Sequence, residues 1–138
     1  MPTDKYLPQS MDFSSPRLSK MYDSSKVELY EPFVVYLDDN YMISVEIEFP
    51  DVYSKYHSMF SQNEYSGNGY CWASQILQKT KPEYLKIISF DPESGGFYMY
   101  TNSRDNQVKV AKYLSAIFEN SDTLNEFLKS ADRTKIKS

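Results

Sequence analysis

Phe33-Val34-Val35-Tyr36-Leu37-Asp38-Asp39-Asn40-Tyr41-Met42-Ile43-Ser44-Val45-Glu46-Ile47-Glu48-Phe49 holds two alternating runs separated by a turn. In the second run Ile43, Val45, Ile47 and Phe49 fall on one side, and Ser44, Glu46 and Glu48 on the other. A period of two is the signature of a half-buried strand, because successive side chains point to opposite faces. Residues 27–37 read as its partner strand, with Phe33, Val35 and Leu37 on one face and Val34 and Tyr36 on the other. Asp38-Asp39-Asn40 supplies the turn, since Asp and Asn side chains bond their own backbone and tolerate left-handed geometry. The pair is therefore a hairpin with an acidic outer face.

Outward from this hairpin the period changes. After Pro50, the spacing of Val52, Tyr56, Met59 and Phe60 predicts a short helix that Asp51 would cap. A second helix is expected over 71–79, with Trp72, Ile76 and the stem of Lys79 on one face, Leu77 nearby, and Pro82 as its stop. Residues 85–90 and 97–101 read as a second hairpin around Asp91-Pro92-Glu93-Ser94-Gly95-Gly96. Asn102 or Ser103 then opens a helix to about residue 119, carrying Val110, Tyr113, Leu114, Ile117 and Phe118. Ser121 or Asp122 opens a last one with Leu124, Phe127, Leu128 and Ala131. The resulting order, ββ-αα-ββ-αα, predicts an α+β fold with a mostly antiparallel sheet and helices on one face. Residues 1–25, with three prolines and six serines, read as an irregular N-terminal arm; 26–132 form a single domain, and 133–138 a basic tail.

The 138 residues, 41% of them hydrophobic, suffice for one core. No run of eighteen apolar residues is present, so no membrane partner is expected, and the first residues lack the apolar stretch of a secretory signal. A single cysteine excludes an internal disulfide, and the default compartment is the cytoplasm. A net charge of −4 argues against nucleic acid as a partner. Between Val27 and Asp51 there are seven acids and no Lys or Arg, whereas Lys129, Arg133, Lys135 and Lys137 make the C-terminal end basic. The acidic stretch is either a solvated surface or a docking face for a basic protein. Thirteen tyrosines add a second reason to expect an interface, because tyrosine contributes large contact area at low entropic cost.

All four glycines fall in two short segments, Gly67-Asn68-Gly69-Tyr70-Cys71-Trp72 and Phe90-Asp91-Pro92-Glu93-Ser94-Gly95-Gly96-Phe97. The first could hold a phosphate on successive amides, yet it lacks the Lys-Ser/Thr of a P-loop and the third glycine of a dinucleotide site, so a structural turn is expected. Cys71 near a helix start is the only thiol, and His57, its only possible imidazole partner, falls off the apolar face of its helix. One Cys and one His make no zinc site, and the acids lack calcium-loop spacing, so neither metal nor cofactor is expected. Glu46 and Glu48 are same-face strand neighbours, not a convergent glycosidase pair.

The two glycine segments together resemble the immunity protein 51 family of bacterial polymorphic toxin systems. That family has Gly-Asn-Gly-Tyr-Asp-Trp before a helix and Phe-Asp-Pro-Glu-x-Gly between strands, and the likeness runs from about Pro32 to Ala131. Cys71 stands here in place of the family's Asp, a residue able to cap the helix. The resemblance implies a non-enzymatic α+β protein that binds and neutralises a cognate protein toxin, a basic one on the charge argument. Gly67, Asn68, Gly69, Asp91, Pro92 and Gly95 are expected to act structurally. The expected contact set is Tyr36, Asp38, Asp39, Glu46 and Glu48, with Tyr70 and Trp72 as an alternative patch. Two other readings remain at this stage: an interaction module with the same acidic aromatic face but no toxin, and a small enzyme with a pocket at residues 67–72.

Overall fold

Pro32 divides the first expected strand in two. In the computed structural model, which describes residues 25–136, β1 (Val27–Tyr30) and β2 (Phe33–Tyr36) are themselves an antiparallel hairpin, with Tyr30 opposite Phe33. The Glu31-Pro32 bond between them is cis, the arrangement that lets proline occupy the third position of a tight turn. β3 (Met42–Glu46) pairs with β2 through Val34↔Ser44 and Val35↔Ile43, as the alternating pattern requires. The turn between them places Tyr41, not an Asp or Asn, at positive φ (56°), while the Asp38 side chain accepts from Asn40 N at 3.0 Å. Because β2 ends at Tyr36, Leu37 lies outside the core and is exposed.

Helix α1 (Pro50–Gln62) follows, then α2 (Gly69–Lys79), a single turn α3 (Pro82–Leu85), and the strands β4 (Ser89–Phe90) and β5 (Gly96–Tyr100). α4 (Arg104–Phe118), α5 (Ser121–Lys129) and a 3-10 turn (Arg133–Lys135) complete the chain. The α+β class is as expected, but the order is βββ-ααα-ββ-αα. Two local facts cause the difference: the break at Pro32, and Pro82, which begins a helical turn where a strand was expected to start soon after. The sheet is antiparallel with strand order β1-β2-β3-β5-β4. Residues 1–24, where the expected arm falls, and 137–138 lie outside the described residues.

The helix starts follow ordinary capping chemistry: Ser103 caps as expected, whereas α2 and α5 begin earlier than expected, behind Asn68 and Asn120. Asn68, Ser103 and Asn120 each accept from a backbone N–H three residues on, at 2.8, 3.1 and 3.0 Å. At α1 no side chain caps. Pro50 occupies the first turn and loses no N–H there, and Asp51 sits within that turn.

One sheet face meets the helices. Phe33, Val35, Ile43, Val45, Ile47, Phe97 and Met99 pack with Val52, Tyr56 and Phe60 of α1, Trp72 and Ile76 of α2, and Val110, Leu114 and Phe118 of α4. Trp72 is the hub. It stacks on Phe118 (4.8 Å, 25°) and Phe60 (5.3 Å, 10°) and meets Tyr56 and Phe33 edge-on. On the opposite face Val27, Leu29 and Val34 form a smaller cluster with Tyr36, drawn among the described residues from β1 and β2. The turn Arg133–Lys135 packs on the domain: Arg133 donates to Asn63 O at 2.6 Å and lies 4.6 Å from the Tyr65 ring centroid.

Candidate partner-binding face

Strand geometry fixes which expected residues share a surface. Ser44 pairs with both Val34 and Tyr98, and Glu46 pairs with Gly96. Tyr36, Ser44, Glu46 and Tyr98 therefore lie on the sheet face opposite the helices. Ser44 Oγ is 3.5 Å from Tyr36 Oη, and Tyr98 Oη donates to Glu46 Oε2 at 2.8 Å. Beyond one end of β3 lie Asp38 and Asp39, both exposed; beyond the other lies exposed Glu48. Of the five residues, Glu46 lies on β3, Tyr36 on the neighbouring β2, and Asp38, Asp39 and Glu48 beyond the ends of these strands. Tyr36 and Glu46 are half-buried.

The position of the Asp38-Asp39 turn is held from behind. Arg104, the first residue of α4, donates to Tyr36 O at 2.8 Å and Asp38 O at 2.9 Å. Gln107, fully buried one turn later, donates to Tyr36 O and Met42 O and also accepts from Arg104. The N-terminus of α4 thereby grips both strands at the turn, leaving the two carboxylates outward. None of these contacts was legible in the sequence, where Arg104 and Gln107 carried no pattern.

Gly96 explains how Tyr98 reaches Glu46. A Cβ at Gly96 would lie 2.5 Å from Tyr98 Oη, so the ring crosses the bare glycine to the carboxylate on the neighbouring strand. Burial first, then the Glu46 carboxylate that accepts its proton, pushes Tyr98 well above the ordinary tyrosine range. A phenol whose folded pKa is raised contributes stability that is complete below the unfolded value near 10 and declines as the pH rises above it. The urea midpoint of the native chain should therefore fall more between about pH 9 and 11 than that of Tyr98→Phe. Parallel falls would refute this contribution.

The alternative patch does not hold together. Tyr70 and Trp72 are two residues apart on α2 and so diverge by about 200°. Tyr70 is 42% exposed and, with Leu77, Ala73, Phe90 and Pro92, borders an apolar notch of about 170 Å³. Trp72 is 1% exposed and belongs to the core, so it drops out as a direct contact.

The two glycine segments prove to be one joint. Gly69 N donates to Ser94 O at 3.0 Å, and a Cβ on Gly69 would fall 1.7 Å from Glu93 O and 2.2 Å from Gly96 O. Helix α2 thus starts with its first Cα pressed onto the tip of the β4–β5 hairpin. That tip is closed by Asp91 N to Tyr98 O at 2.9 Å and Glu93 N to Gly96 O at 2.8 Å. Gly67 alone among the glycines needs positive φ (+74°). A phosphate cradle is not what this turn builds, because the Gly69 and Cys71 amides are already bonded, the latter to Asn68 Oδ1. The same bond answers the Cys71 substitution: Asn68 caps the helix, and Cys71 lies fully buried. Burial pushes its thiol up, against smaller lowering contributions from the Gly67 backbone and the Gln75 side chain, which is the opposite of what a thiolate nucleophile requires.

No helix among the described residues is long and apolar enough to cross a membrane, and no metal-binding cluster of His, Cys, Asp and Glu occurs among them. Comparison with known protein families matches residues 33–133 to the family described as Immunity protein 51. No curated protein and no solved structure matches the chain.

Proposed function

Because the chain belongs to the Immunity protein 51 family, we propose that it is a non-enzymatic immunity protein. On this reading it binds a cognate polymorphic toxin in the cytoplasm of the producing cell and blocks it by occlusion. The observation that carries the reading is the family match, which spans the β2–β3 hairpin, both glycine segments and α4. The exposed acids beyond the two ends of β3, Asp38, Asp39 and Glu48, with half-buried Tyr36 and Glu46 beside them, are the contact region, within an interface of about 1,600 Å² in total. A basic toxin suits the stretch of seven acids without a Lys or Arg.

Co-expression with the toxin encoded beside this gene tests the proposal: growth rescue and co-purification are expected, and toxicity undiminished by a well-expressed chain would refute it. The exposed acids should act mainly on encounter. Asp38→Lys with Asp39→Lys is expected to slow association by about 10-fold at low salt and to flatten its salt dependence. Stopped-flow rates at two ionic strengths decide this, and an unchanged on-rate would remove steering from the account.

A further inference from the structure

We propose that a notch just past the end of β3 receives an arginine side chain of the partner protein. This inference rests on the immunity reading and gives it an anchor point. Four parts of the chain meet at the notch: Glu48 after β3, Tyr53 and His57 from α1, Ser66 and Asn68 from the turn before α2, and Ser94 from the hairpin tip. Its volume is about 120 Å³, a size suited to one side-chain head group and too small for a larger ligand.

The chemistry of the walls selects a cation. No Lys or Arg lines the notch. Glu48 is exposed, and its carboxylate rests on the bare Cα of Gly95, where a Cβ would lie 2.7 Å from Oε1. Among the described residues that carboxylate has no hydrogen bond or ion pair. An anion at the notch would meet an unpaired negative charge, whereas a cation would neutralise it.

The aromatic wall selects a planar cation. Tyr53 and His57 stack at 4.3 Å with 12° between their planes, and Tyr53 is 47% exposed. A guanidinium lies flat on such a surface while its edge offers two parallel N–H donors to a carboxylate. An ammonium can satisfy the charge but not the fork or the stacking. His57 thus belongs to a recognition surface and not to a nucleophilic pair. Position supports the assignment, since exposed Glu48 follows Glu46 by two residues, just past the end of β3.

The test uses the whole chain, isotope-labelled for NMR, titrated with N-acetyl-arginine methylamide and separately with its lysine and citrulline counterparts. Saturable shifts confined to Glu48, Tyr53, His57, Ser66 and Ser94 are expected for arginine, with a Kd on the order of 1 mM for so small a ligand. Lysine should bind several-fold more weakly and neutral citrulline not at all. Glu48→Gln should weaken arginine binding at least about 5-fold with the remaining spectrum unchanged. Absence of saturable shifts at these residues, or an equal response to citrulline, would overturn the proposal. With the cognate toxin, Glu48→Gln plus Tyr53→Ala should raise Kd about 10- to 100-fold, chiefly through the off-rate; unchanged affinity would equally overturn it. A toxin that the native chain does not bind at all would refute the immunity reading instead, leaving the titration to decide the notch.

Discussion

Gly69→Ala is expected to destabilise the fold by at least about 3 kcal/mol and to lower Tm by roughly 10 °C. The added methyl would lie 1.7 Å from Glu93 O and 2.2 Å from Gly96 O. Both atoms are backbone, so no rotamer change relieves the clash, and the helix must separate from the hairpin tip. That separation also stretches the Gly69 N to Ser94 O bond, now 3.0 Å, and leaves buried polar groups without partners. Gly95→Ala is the matched control. The nearest atoms to its methyl all belong to the Glu48 side chain, with Oε1 at 2.7 Å, and a side-chain tip can swing aside at a cost of about 1 kcal/mol or less. Thermal unfolding followed by circular dichroism compares the two. Equal Tm values would mean that the joint between α2 and the β4–β5 hairpin does not hold the fold as described.

Local chemistry made much of this architecture readable. Alternation over residues 42–49 placed Ile43 and Val45 in the core, where both are fully buried, and the helical spacing of Val52, Tyr56 and Phe60 did the same for α1. Ser103 was identified as a cap for the reason it acts as one. What escaped depends on contacts between distant segments. The glycines at 67–69 and 95–96 fall in segments whose turns suggest a need for unusual φ, yet among these glycines Gly67 alone has it. Gly69 and Gly96 are glycines because backbone carbonyls in one case, and the Tyr98 hydroxyl in the other, occupy the space of a Cβ. Sequence spacing cannot distinguish those two uses of glycine. The first strand pair was merged for a simpler reason: Pro32 lacks an N–H and should have ended the strand. In the candidate site, the acidic hairpin residues were legible from charge and alternation. The notch was not, since Glu48, Tyr53, His57 and Ser94 converge only through tertiary packing.

Trp72→Ala is expected to cost about 3–5 kcal/mol, the range for emptying a fully buried large aromatic site. The indole is 1% exposed and contacts rings from three elements besides its own: Phe33 on β2, Tyr56 and Phe60 on α1, and Phe118 on α4. Removing it leaves Phe60 and Phe118 without the ring on which both stack, and these belong to helices whose separation the cavity cannot close without moving the sheet contacts of α4. Trp72→Phe should cost less, because it retains much of the volume and the stacking. The pair of variants also separates stability from recognition. Urea midpoints should fall in the order native, Trp72→Phe, Trp72→Ala, while the toxin off-rate measured on the folded Trp72→Phe protein stays within about 2-fold of native. A Trp72→Phe protein that keeps its midpoint but releases toxin about 10-fold faster would put the indole at the interface, against its burial. The sequence places this tryptophan beside Tyr70 in the segment that marks the family; its burial at 1% exposure gives it a structural role, holding β2, α1, α2 and α4 together.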